Sequence, residues 1–111
     1  MPDADAVTSP NFPMIGRKAQ VRFGELVFEL NFKDATTMSF IGLDGPFKGV
    51  QDTVRYTALE LVNNIYMVYW HEPGTGANVV HVQDYELGIV YTNIAGADGS
   101  FTNLKGVITL G

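Results

Sequence analysis

The chain has 111 residues, 46% of them hydrophobic, enough for one domain with a buried core and too few for a second. Its 7 basic and 12 acidic residues give a net charge of −5, with the basic ones scattered, so neither nucleic acid nor an anionic membrane is expected as a partner. Cysteine is absent, which excludes disulfides, thiolate chemistry and cysteine-held zinc, permits a reducing compartment and makes the cytoplasm the expected location.

In chain order, residues 1–15 are acidic, carry Pro2, Pro10 and Pro13, and lack an apolar run of signal-peptide length. They read as a disordered or extended arm ahead of a single domain over 16–111. A first strand is expected over 16–23, where Ala19, Val21 and Phe23 alternate with Lys18, Gln20 and Arg22. After the Gly24-Glu25 turn, residues 26–32 put Leu26, Phe28, Leu30 and Phe32 on one face. Val27, Glu29 and Asn31 fall on the other, expected in solvent. A β-branched and aromatic run over 36–43 ends at the loop 44–49, where two glycines flank Pro46. Residues 50–61 follow, with Val54, Tyr56 and Ala58 on one face, and Asn63-Asn64 turns the chain into 65–73. A Pro73-Gly74-Thr75-Gly76 turn leads to strands over 78–83, 87–94 and 101–110.

Eight short strands without crossover helices favour antiparallel pairing between sequence neighbours. The fold expected is all-β, an eight-stranded antiparallel up-and-down barrel, because closure removes the two exposed edges of an open sheet. A β-sandwich would need a long return connection, for which only the loop 44–49 is available. At most one short helix is expected, near that loop or in the arm.

The candidate site centres on residues 65–73. Tyr66, Val68, Trp70 and Glu72 share one face of that strand; Ile65, Met67, Tyr69 and His71 share the other. If the first face lines a barrel, Phe23, Phe28, Phe40, Tyr56, Tyr66, Trp70 and Tyr91 surround a small apolar or aromatic ligand, with Glu72 as its polar contact. There Glu72 is also the candidate catalytic acid or base of a cofactor-free lyase or isomerase. The blander readings are a solvated Glu72 at the rim, Trp70 as core filler, tyrosines with their tips in water, and a barrel filled by its own side chains.

No metal and no cofactor are expected. His71 lies opposite Glu72 on its strand, and His81 shares a face with Val79 and Gln83 rather than with Val80 and Val82, so no ligand set converges. Ser39 and Ser100 have no histidine at motif spacing, and the Gly-x-Asp-Gly segments at 42–45 and 96–99 are turns. Val27, Ile41, Met67 and Tyr69 on outer faces would form an apolar patch, from which a homodimer is expected.

Gly16 with the strands after it, and above all Ile65-Tyr66-x-Val68-x-Trp70-x-Glu72-Pro73 with its Gly-Thr-Gly turn, resembles the MoaF-like domain family, small barrels of the calycin/lipocalin-like type. The chain is also similar, more distantly, to the phenolic acid decarboxylases, which share that barrel. That resemblance implies action on hydroxycinnamic acids through two first-strand tyrosines, an arginine after the third-strand loop and a glutamate after the strand-five tryptophan. Glu72 matches the glutamate. Val21 and Phe23 stand at the tyrosine positions and the arginine position falls near Val50, while Arg55 and Tyr56 lie off the pattern.

Overall fold

Alternating apolar residues make strands here because each strand has one face to bury, and eight such faces enclose a common interior. The computed structural model describes residues 12–110, among which there is no helix. The strands are β1 (Lys18–Phe23), β2 (Leu26–Phe32), β3 (Thr37–Asp44), β4 (Gln51–Val62), β5 (Ile65–His71), β6 (Asn78–Asp84), β7 (Ile89–Ala95) and β8 (Phe101–Leu110). Each pairs antiparallel with the next, and β8 returns to β1 with Val21 opposite Ile108, closing the barrel.

Two sets of turns cap the two ends. Gly24 at φ 61° turns β1 into β2, and Asn64, the one non-glycine residue with positive φ among those described, turns β4 into β5 at φ 67°. Where a helix was allowed, residues 45–49 instead form tight turns strapped to the end of β3, with Gly42 N–H donating to the Val50 carbonyl and Gly49 N–H to the Gly42 carbonyl, both at 2.8 Å.

One end of the interior is filled. Phe12 is buried there, its ring edge-on to Phe32, Tyr66, Tyr56 and Tyr85 at centroid distances of 4.9, 5.2, 6.0 and 6.3 Å. Met14 is buried beside it, and Gly16 N–H donates to the Phe32 carbonyl at 2.7 Å while Phe32 N–H donates to the Arg17 carbonyl at 3.0 Å. This corrects the expectation of an arm as far as residues 12–15 are concerned. Their apolar side chains are the plug of the barrel, and proline punctuation conceals that from a composition-based reading. Residues 1–11 of the expected arm lie outside the described residues.

Val27 is a second correction, being 2% exposed rather than in solvent. The β2–β3 register shifts between Val27 and Phe28, but Leu26 and Phe28 on either side still line the interior, so Val27 is covered on the outer side of the sheet. Val27 is therefore lost from the outer patch on which dimerisation was expected.

Candidate functional site

The other end of the barrel is open. A cavity of about 420 Å³ lies between Trp70 and Glu72 on one side and Phe23, Phe28 and Phe40 on the other. It is walled mainly by Val21, Leu26, Leu30, Val79, Ile94 and Leu104, within the size range of small-molecule pockets. Phe47, from the loop that folds back on Gly42, leans over the mouth with its ring 6.1 Å from Phe28.

Glu72 stands at the rim because β5 ends at His71 and the chain turns immediately. Thr75 and Gly76 N–H groups donate to the Glu72 carbonyl at 3.3 and 2.8 Å, and Glu72 N–H donates to the Ala77 carbonyl at 2.8 Å. The carboxylate is then fixed by two side chains. Trp70 Nε1–H donates to Oε2 at 2.9 Å and Thr75 Oγ1 donates to Oε1 at 3.0 Å. An ionised carboxylate only accepts hydrogen bonds, so Glu72 can receive a donor from a ligand. Asp52 adds a second carboxylate to the lining, with Oδ2 accepting from Gly74 N–H at 3.2 Å. No lysine or arginine lines the cavity, so its electrostatics disfavour an anion.

The deeper wall is polar at one place. His81 is 4% exposed, its ring edge-on to Trp70 at 4.8 Å and to Phe23 at 6.0 Å. Burial lowers its pKa to about 3, so the imidazole is neutral. Its Nδ1 lies 3.1 Å from Gln83 Nε2, and Tyr85 OH donates to Gln83 Oε1 at 2.5 Å. Burial raises the Tyr85 phenol, so it remains a proton donor. Thr92, the register partner of His81 on β7, has a buried hydroxyl without a hydrogen-bond partner among the described residues.

The expected lining residues divide three ways. Phe23, Phe28, Phe40, Trp70 and Glu72 come together around the cavity. Tyr56 and Tyr66 face inward as expected, but at the filled end. Tyr56 OH donates to the Asp34 carbonyl at 2.6 Å, and burial, aided by the Asp34 charge, pushes that phenol up to about 12; Tyr66 OH donates to Glu60 at 3.3 Å. Tyr91 is corrected: it is 46% exposed on the outer surface, with Lys105 Nζ 5.9 Å from its ring centroid. The β7 residues that point inward are Val90, Thr92 and Ile94, because Thr92 pairs with His81 and Ile94 with Val79.

His81, Gln83 and Thr92 were missed. The alternation that groups His81 with Val79 and Gln83 is legible, but because Val80 and Val82 are equally apolar it does not say which face looks inward. His71 is exposed and shares a hydrogen bond with Asn78 at 2.8 Å, and among the described residues no three His, Cys, Asp or Glu side chains are grouped to hold a metal. Val21, Phe23 and Val50, which occupy the decarboxylase tyrosine and arginine positions, do line the cavity but offer only apolar surface.

A profile of the MoaF-like family matches residues 15–109. A crystal structure from Burkholderia vietnamiensis, described provisionally as a beta-lactamase, is similar over 93% of this chain and 100% of that one, with a TM-score of 0.87 and 27% identity. No curated protein matches the chain.

Proposed function

We propose, from the premise that this chain belongs to the MoaF-like family, that it is a small-molecule-binding barrel taking one apolar or aromatic ligand into its open end. The observation that carries this reading is the cavity of about 420 Å³ beside Trp70 and Glu72, left open although the opposite end is packed with aromatic rings. Trp70 supplies a flat wall, and Glu72 accepts a hydrogen bond from a donor on the ligand at the rim. Binding is preferred to turnover because Val21, Phe23 and Val50 cannot anchor a substrate carboxylate or phenol, leaving Glu72 without catalytic partners.

The test is a two-dimensional NMR titration with 2-naphthol, an aromatic carrying one donor, following the indole N–H of Trp70. Saturable shifts confined to residues around the cavity are expected. In Glu72→Gln the loss of a charge-assisted hydrogen bond, on the order of 1.5 to 3 kcal/mol, weakens binding at least about tenfold while the fold is kept. The absence of saturable shifts for any naphthalene derivative defeats the binding reading; unchanged affinity in Glu72→Gln defeats the role given to Glu72.

A further inference from the structure

His81 and Thr92 are register partners on adjacent strands and both face the cavity one residue row below Trp70, since Trp70 pairs with Val79 and Val68 with His81. Directly opposed residues have Cβ atoms about 5 Å apart, close enough for two side chains to address one atom. The imidazole tautomer is dictated from behind. Tyr85 OH donates to Gln83 Oε1, which turns Gln83 Nε2 toward His81; Nδ1 therefore accepts, and the ring proton is on Nε2. Among the described residues nothing accepts from that Nε2–H. The Thr92 hydroxyl is also unpaired, in a residue only 2% exposed. An orphaned buried hydroxyl costs stability unless something answers it, and Thr92 is one of the residues that line the cavity.

We infer that His81 Nε2–H and Thr92 Oγ1–H form a two-donor floor for a carbonyl oxygen, so that the ligand is a neutral aromatic or apolar ketone, aldehyde or amide bound carbonyl-first. This deepens the binding reading above and rests on it. A carbonyl oxygen has two lone pairs and can take both donors. A carboxylate is excluded because the lining offers no cation and Asp52 and Glu72 guard the mouth, so its buried charge would be unpaired. A hydrocarbon of the same shape leaves both donors unanswered, the situation in which hydrogen-bonding sites discriminate most strongly.

The experiment compares 2-acetylnaphthalene, 2-isopropenylnaphthalene and 2-naphthoate, which share a ring system and differ in the group presented to the floor, by NMR titration of the full chain. The ketone is expected to bind at least about tenfold tighter than the hydrocarbon and than the carboxylate. Thr92→Val, which removes the orphaned hydroxyl at constant shape and so does not threaten folding, is expected to shrink the gap between ketone and hydrocarbon severalfold. Equal affinity for ketone and hydrocarbon in the parent chain overturns the two-donor floor while leaving the cavity a binding site. Tightest binding of 2-naphthoate overturns the neutral class, an unaltered gap in Thr92→Val removes Thr92 from the floor, and binding of none of the three overturns the binding reading itself.

Discussion

His81 is buried with its proton balance set by desolvation, which lowers its pKa from 6.5 to about 3. Between those values the unfolded chain holds a proton that the folded chain does not. The unfolded state therefore gains on acidification, and the stability associated with neutral His81 is complete above about pH 6.5 and declines as pH falls toward 3, by up to about 1.4 kcal/mol per pH unit. Urea unfolding at a series of pH values is expected to show this slope in the parent chain and to lose most of it in His81→Gln. Asp34 works in the opposite direction of charge. Its carboxylate caps the β2–β3 turn by accepting from Thr36 and Thr37 N–H at 2.9 and 2.7 Å, and these backbone bonds, Thr36 first, lower its pKa.

At the scale of the element, the loop between β3 and β4 decides how open the mouth is. Gly42 shares the inward face with its partner Phe28, and a Cβ built there would lie 1.9 Å from the Phe47 carbonyl oxygen. The backbone of the loop thus occupies the place of a side chain, a close approach that only glycine permits. Gly42→Ala must push residues 45–49 outward, carrying Phe47 away from Phe28. The expected result is a loss of roughly 1–3 kcal/mol in unfolding free energy together with altered ligand affinity, read by thermal melts and by the same NMR titration. A merely local adjustment would leave the Phe47 resonances in place.

At the scale of the molecule, the barrel is asymmetric along its axis, packed at one end and hollow at the other. The packed end is held by Phe12, which precedes the first strand and touches aromatic rings from four other segments. Phe12→Ala removes a buried ring at the centre of that cluster and is expected to cost roughly 3–5 kcal/mol, measured by denaturant unfolding, far more than the same change at exposed Phe101. The hollow end has no such plug, and its cavity is walled mainly by apolar side chains.

The strand pattern, the turns and the closed antiparallel barrel follow from the sequence alone, because period-two alternation and turn chemistry are local and β1 through β8 pair in chain order. Trp70 and Glu72 were likewise legible as neighbours on one face, since strand geometry fixes residues two apart. Which face of a strand looks inward is a different matter where both faces are apolar. On β6 the choice between Val79-His81-Gln83 and Val80-Val82, and on β7 between Tyr91 and Thr92, is made by pairing to β5 and β6, so His81 and Thr92 emerged and Tyr91 fell outside only once the register was known. Tertiary packing also decided that Phe12 and Met14 plug one end while the other stays open. No local pattern encodes that outcome, because it depends on the volume left between strands distant in sequence and on which side chains reach it.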